Sequence, residues 1–270
     1  MKKVVFIGGD TRQKIAAEYL RKENFICEDY IFNLHKNFDV NKFDVVILPL
    51  PTSKDGINVY SPFLKEAIEV EKLIKNLNES QFLITGNYTP EFENFVDLNK
   101  DEDFAFKNAI PTAEGAIKIL IESTDSTLWG SNVLIVGNGK IGKILSNRLS
   151  SFGANITVSA RKSLDFSHIE AFGYKSLDTN NLDGKVSEFD IIINTVPSPV
   201  FTEELIKQTK ENCLFLELSS APFGIDKQAA ISYDREYIYA PALPGKTAPK
   251  TAGVFLGQTI KKIINETFWK

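Results

Sequence analysis

The chain of 270 residues is 43% hydrophobic and 24% charged, the balance of an ordinary globular protein rather than a disordered or fibrous one. Its formal net charge of −4 comes without any sustained basic stripe, which argues against nucleic acid as a partner. Two cysteines and two histidines, with no C-x-x-C pair, leave no zinc-ligand pattern and no disulfide framework.

At this length the chain buries roughly three quarters of its unfolded surface, as one large domain or two modest ones. Cys27 and Cys213 lie in apolar surroundings far apart in sequence and read as buried thiols of a reducing cytoplasm. The start, MKKVVFIGGD, is basic, but its apolar run is too short for a signal peptide. No stretch reaches the ~18 apolar residues that cross a bilayer. A soluble, cytoplasmic protein with no membrane partner is expected.

In chain order, KKVVFIGG reads as a strand ending in a glycine turn, Arg12–Lys22 as a helix and Val45–Leu50 as a buried strand. Leu64–Leu77 reads as a helix and Phe82–Thr85 as another strand. Strands alternating with helices predict a parallel sheet with crossovers. GGDTRQ lacks the third glycine of a dinucleotide fingerprint, so this half is expected to hold something else. Pro111 is placed as a helix start, with Ala113, Ile117, Leu120 and Ile121 on one apolar face. This helix, 111–127, is read as a connector between an N-terminal domain, 1–110, and a second domain, 111–250.

Asn132–Leu149 then reads NVLIVGNGKIGKILSNRL. The apolar run Val133–Val136 predicts a buried parallel strand, and it enters the G-x-G-x-x-G segment Gly137, Asn138, Gly139, Lys140, Ile141, Gly142. The first glycine permits the tight turn, the second lets backbone approach a pyrophosphate, and the third allows close helix–strand packing. The helix N-terminus adds N–H donors and a positive dipole. Ile144, Leu145 and Leu149 continue at helical spacing. Further strands are predicted at Ile156–Val158, Asp190–Asn194, Leu214–Leu218 and, shorter, Tyr237–Ala240. The last segment, Thr251–Phe268, is an amphipathic helix with Ala252, Phe255, Leu256, Ile260, Ile263 and Ile264 on one side. Residues 251–270 are expected to return to and complete the first domain. The fold class is therefore α/β: two Rossmann-like, doubly wound parallel-sheet domains, with the substrate in an interdomain cleft.

An NAD site usually ends its second strand in Asp or Glu, which accepts from the ribose 2′-hydroxyl. Here the strand ends Ser159, Ala160, Arg161, Lys162, with no acid until Asp165. Arg161 suits a 2′-phosphate and Ser159 can add a hydroxyl, so NADP is favoured over NAD. Thr195, Val196 and Pro197 after one strand, and Leu218 and Ser219 after the next, lie at the carboxyl edge where open α/β sheets bind ligands.

A D-2-hydroxyacid dehydrogenase needs a histidine acid, an acidic partner and a substrate-gripping arginine. LELSSAPFGID and APALPGKTAPKTAG contain neither histidine nor arginine, so that catalytic set is missing. His35 and His168 are read as structural or solvent-exposed.

IGGDTRQ, NAIPTAEGAI, GNGKIGK, NTVPS and LPGKTAPKTAG, in this order from Ile7 to Gly253, resemble the A subunit of dipicolinate synthase from spore-forming bacteria. The resemblance implies oxidation of a dihydrodipicolinate, formed from the pyruvate–aspartate semialdehyde condensation product, with NADP+ as hydride acceptor. It also implies a second, flavoprotein-like subunit, together with a place in the mother cell of a sporulating bacterium. A homo-oligomer is expected.

A ring that becomes aromatic on losing hydride and proton has a strong thermodynamic pull. The site must then supply alignment, with cations and N–H donors for two carboxylates. Arg12 is the first choice of carboxylate clamp, with backbone donors at Gly9 and at the helix start, Asp10–Thr11. Thr52, Ser53 and Asn87 lie at the same expected edge, and Lys246 is placed for the second carboxylate. Thr112 and Glu114 begin the connector helix facing the cleft, with Glu114 as candidate proton acceptor. The plain alternatives are Arg12 as a surface helix residue, Lys246 as a solvated loop charge and Glu114 as favourable first-turn charge. Two other functions fit the same residues: an NADP-dependent reductase of another small dicarboxylate, and a non-catalytic dinucleotide-sensing subunit.

Overall fold

A computed structural model of the chain describes residues 2–33 and 38–268. The chain runs β1 (Lys3–Ile7), α1 (Thr11–Lys22), β2 (Ile26–Tyr30), β3 (Val45–Ile47), α2 (Val70–Lys75), β4 (Phe82–Thr85), β5 (Phe95–Asp97) and α3 (Glu102–Ser123). It continues with β6 (Asn132–Val136), α4 (Lys140–Ser151), β7 (Asn155–Ala160), α5 (Ser163–Ala171), β8 (Lys175–Asp178) and β9 (Ile191–Asn194). The rest comprises α6 (Glu203–Ile206), β10 (Leu214–Glu217), α7 (Lys227–Ser232), β11 (Glu236–Tyr239), α8 (Leu243–Thr247) and α9 (Pro249–Phe268). Two compact units result: Met1–Asn108 with Pro244–Lys270, and Ala109–Leu243.

In the first unit five parallel strands lie in the order β2-β1-β3-β4-β5. The winding reverses between β1 and β3, the point where such sheets bind ligands beyond their carboxyl ends. Val4–Ile7 and Val45–Ile47 are essentially fully buried, as expected for parallel strands covered on both faces. The C-terminal α9 belongs to this unit and packs on α1. Gly253 and Gly257 set the approach: a side-chain carbon at Gly253 would fall 2.6 Å from Ile15 Cβ, and one at Gly257 2.8 Å from the Tyr19 ring. Leu256, Ile260, Ile263 and Ile264 fill the core behind them, while Phe255 is only half-buried.

The second unit has six parallel strands in the order β11-β10-β9-β6-β7-β8. Counted within the unit this is 3-2-1-4-5-6, the order of dinucleotide-binding sheets, with its switch point between β6 and β9. The loops after those two strands are therefore where a cofactor site is expected.

The connector expectation needs correcting. The helix does not start at Pro111; α3 starts at Glu102 and carries Pro111 inside it. The start signal is Asp101, whose carboxylate accepts from the Phe104 N–H at 2.7 Å, followed by acidic Glu102 and Asp103 in the first turn. Proline removes one helix donor, but Phe104 before it and Ala113, Ala116 and Leu120 after it are anchored in hydrophobic cores, and the helix runs on. The buried face also differs: Ala116 is in the core, whereas Ile121 is 54% exposed. The predicted helix Leu64–Leu77 shrinks to α2. Residues before it are held in turns by Asp55, which accepts from the Ile57 and Asn58 N–H groups, the Asn58 amide and the Ser53 hydroxyl.

Cys27 and Cys213 are buried free thiols, and burial pushes both up to about 12. His168, on α5, lies against Phe172 with ring centroids 4.7 Å apart and the rings tilted by 34°. His35 lies outside the described residues. Among the described residues no helix is long and apolar enough to cross a membrane, and no group of three or more His, Cys, Asp or Glu side chains can hold a metal ion.

Candidate dinucleotide site

A cavity of ≈ 460 Å³ opens at the switch point of the second unit, within the roughly 300–1,000 Å³ range of small-molecule sites. Its lining comes from four places in the chain. Gly137, Asn138 and Gly139 follow β6; Ala160, Arg161, Lys162 and Asp165 end β7 and begin α5; Thr179 and Asn180 follow β8; Val196, Ser198, Pro199 and Val200 follow β9.

Two of the three glycines answer the steric demands that the spacing predicts. Gly137 has φ +104, and a side-chain carbon there would fall 2.6 Å from Val196 Cγ1, so the turn demands glycine. One at Gly142 would fall 2.0 Å from the Gly137 carbonyl oxygen, which is how α4 packs tightly under the turn. Gly139 meets nothing within 4 Å and lines the cavity, so its backbone stays open to close approach. Gly139 also N-caps α4 with no side-chain cap bond, which keeps side chains off the helix end that attracts anions. These features fit a pyrophosphate.

Of the other expected cofactor residues, Ala160, Arg161, Lys162 and Val196 line the cavity, and Arg161 and Lys162 are exposed. Lys140 and Ile141 open α4, but neither they nor Thr195, Pro197, Leu218 and Ser219 are among the lining residues. Thr195 binds back to the Val136 carbonyl through its hydroxyl at 2.8 Å. Ser159 departs from expectation. It is fully buried, its hydroxyl finds no partner, and strand alternation turns it to the face opposite Ala160, so it does not offer the cavity a hydroxyl. Sequence reasoning missed Asp165, Thr179 and Asn180. Asp165 is held in place by the Asn138 amide, which donates to its Oδ1 at 3.2 Å.

The first unit gathers Gly9, Asp10, Arg12 and Thr52 at its own switch point, but in another role than expected. Arg12 is buried; its Nε and Nη2 donate to the Asp10 carboxylate, at 3.0 and 2.9 Å to the nearer oxygens, and Nη2 also reaches the Leu50 carbonyl at 2.7 Å. It locks the loops rather than standing ready as a carboxylate clamp. Two of the expected backbone donors are spent as well: Gly9 N–H goes to the Tyr60 carbonyl at 2.7 Å, and Asp10 N–H to Gln13 Oε1 at 2.9 Å, half of a capping box. Thr52 is buried, donating to the Pro49 carbonyl and accepting from the Gly86 N–H. Ser53 donates to Asp55 at 2.9 Å. Asn87, exposed and at φ +55, gives its N–H to Asp97 at 2.7 Å. The backbone of Gly245 covers the Arg12–Asp10 pair: a side-chain carbon there would lie 3.1 Å from Arg12 Nε. Its neighbour Lys246 is exposed.

Glu114 is half-exposed and pairs with Arg148 at 3.0 Å. Arg148 sits in the last turn of α4, so Glu114 lies at the end of that helix remote from the glycine turn. Thr112 is buried in α3. Neither residue is among those lining the cavity.

Comparison with known proteins agrees with this geometry. Residues 3–101 match the N-terminal domain of the dipicolinate synthase A subunit. Residues 116–215 match the D-isomer specific 2-hydroxyacid dehydrogenase NAD binding domain, which supports a nicotinamide dinucleotide as cofactor and an oxidoreductase-like activity. The chain is 31% identical to the A subunit of dipicolinate synthase from Bacillus subtilis, over 98% of this chain and 96% of that one. The crystal structure of the Bacillus halodurans dipicolinate synthase A subunit superposes with a TM-score of 0.90 at 28% identity, covering 97% of both chains. D-lactate dehydrogenase from Escherichia coli, with a TM-score of 0.60 at 14% identity over 98% of this chain and 96% of that one, shares the fold alone. On the full-length match in sequence and architecture, the chain belongs to the family of dipicolinate synthase A subunits.

Proposed function

We propose that the chain is an NADP-dependent oxidoreductase that forms dipicolinate from a dihydrodipicolinate. The observation that carries the cofactor choice is the end of β7, where exposed Arg161 and Lys162 line the same cavity as the glycine turn. A guanidinium there meets a 2′-phosphate with charge-assisted bonds of about 1.5–3 kcal/mol each, or about tenfold to a hundredfold in affinity. Bound there, the cofactor supplies the hydride acceptor.

Aromatisation supplies the driving force, so the protein's task is alignment and the binding of two carboxylates. In the first unit that task falls to Lys246, Ser53 and Asn87, which line or flank the loops at the carboxyl ends of the strands, while Arg12, Asp10 and Thr52 keep those loops in place. The relatives are named as one subunit of a synthase, which supports a partner subunit; we propose that it is a second, flavoprotein-like subunit. A homo-oligomer in the cytoplasm of the mother cell of a sporulating bacterium completes the reading.

One observation favours a second reading. Asp165 shares the cavity with Arg161, and a carboxylate there accepts from a free 2′-hydroxyl and repels a 2′-phosphate; this would make the cofactor NAD. Arg161→Ala discriminates. It should weaken NADP+ about tenfold to a hundredfold and leave NAD+ almost unchanged; equal losses for both would remove the 2′-phosphate assignment.

The activity itself is tested with freshly generated pyruvate–aspartate semialdehyde condensation product and NADP+, following dipicolinate by mass spectrometry and NADPH by absorbance. Equal amounts of both are expected. Dipicolinate only after adding the second subunit would make the chain one half of the enzyme. Neither product in any combination would bring forward the dinucleotide-sensing role, and NADPH consumption with another dicarboxylate would favour the reductase.

A further inference from the structure

Glu217 ends β10 fully buried, a costly place for a carboxylate unless every lone pair is used. Its Oε1 accepts from the Asn194 side-chain amide at 2.7 Å and the Ser219 N–H at 2.9 Å. Its Oε2 accepts from the Gly224 and Ile225 N–H groups at 2.9 and 3.1 Å. All four neighbours are donors, a shell that only an acceptor on both oxygens satisfies.

The groups so held matter for the cofactor. Asn194, buried at the end of β9, also donates to the Val196 carbonyl at 2.9 Å and accepts from the Val196 N–H at 3.3 Å. At the other end of the same loop, Val200 and Phe201 N–H donate to the Gly224 carbonyl at 2.9 and 2.8 Å. Gly224 is close against Asn194: a side-chain carbon there would lie 2.3 Å from its Nδ2. The segment 194–201 is thus tied at both ends to groups that Glu217 holds. Val196, Ser198, Pro199 and Val200 of that segment form one wall of the cavity, and Val196 packs against Gly137. Glu217 is not among the residues that line the cavity.

We propose that Glu217 is a positioning residue for the dinucleotide: its buried carboxylate sets the segment 194–201 at the distance from the glycine turn that the cofactor requires. The inference rests on the cavity being the dinucleotide site. A glutamine at this position keeps the shape but offers one acceptor and turns an amide donor toward two N–H groups, so the loop must shift. An aspartate keeps both acceptors with a shorter reach.

The test measures NADP+ and NAD+ binding, kcat, KM and thermal unfolding of the full chain for wild type, Glu217→Gln, Glu217→Asp and Leu149→Ala. Leu149 is fully buried on α4 and serves as a core control for lost stability. Glu217→Gln should weaken binding of whichever dinucleotide the wild type prefers by about tenfold or more, raising KM more than it lowers kcat. Glu217→Asp should recover most of that loss. Should Glu217→Gln not fold, Glu217→Asp carries the test by hydrogen exchange, with faster exchange at 196–201 and a few-fold weaker binding expected. Unchanged affinity and exchange, or an equal binding loss in Leu149→Ala, overturns the proposal. A wild type that binds neither dinucleotide defeats the cofactor reading instead, so the two failures are distinguishable.

Discussion

The two sheets of this chain share one construction and use their switch points oppositely. Beyond β6 the second unit leaves a hollow: Gly139 has open space where a side chain would stand, and Arg161 and Lys162 project unburied. Beyond β1 the first unit closes on itself: Arg12 is buried against Asp10 and Leu50, and the N–H groups of Gly9 and Asp10 are spent on Tyr60 and Gln13. The same topological location is therefore an open hollow at a glycine turn in one unit and a hydrogen-bonded brace in the other. A glycine turn binds only if its own chain does not satisfy its donors first.

The largest expected effect would break the brace. Arg12→Ala leaves the partly buried Asp10 carboxylate uncompensated, at a cost on the order of 3 kcal/mol. It should lower the unfolding temperature rather than raise the substrate KM selectively. The double change Arg12→Ala with Asp10→Ala should recover part of that stability. A stable Arg12→Ala with a raised KM would restore Arg12 as a substrate clamp.

The hollow is sharpened by two alanines three residues apart. Gly142→Ala drives a methyl into the Gly137 carbonyl and should cost about 1–3 kcal/mol of stability as well as dinucleotide affinity. Gly139→Ala meets no protein atom, so thermal unfolding should be unchanged while dinucleotide binding falls. Calorimetric titration of both variants checks this, and undiminished binding by Gly139→Ala would mean that the phosphates do not approach the turn.

The smallest effect concerns Asp55, in the loop leading to α2. Hydrogen bonds from the Asn58 N–H and amide, the Ile57 N–H and the Ser53 hydroxyl hold its carboxyl well below the ordinary 3.8. Because its folded value is depressed, the stability it contributes is fully present above that ordinary value and is lost as pH falls through the folded one. The group is exposed, so the effect is small. An NMR titration of wild type, with Asp55→Asn as the unfolding control, should find the carboxylate still ionised where ordinary aspartates are half protonated. A midpoint near the ordinary value would dissolve the loop's anchor.

Where the sequence carried local signals, reading it was enough. The apolar run Val133–Val136, the glycine spacing and the helical continuation dictate a β6–turn–α4 unit, because each glycine answers a steric demand within a few residues of itself. The alternation of buried strands and helices likewise implied two parallel-sheet units. Local signals failed where they competed. Pro111 outshone Asp101 as a helix start, because packing on either side of the proline offset its missing hydrogen bond. Only tertiary structure decided that Arg12 is a buried brace, that Ser159 faces away from Ala160, that Glu114 answers Arg148, and that Asp165, Thr179 and Asn180 join Arg161 in one cavity. It also gathered four donors, one from the end of β9 and three from the loop after β10, onto Glu217. The physical reason is range: a turn is specified by neighbours in the chain, whereas the partner of a charge is specified by which loops the sheet order places side by side.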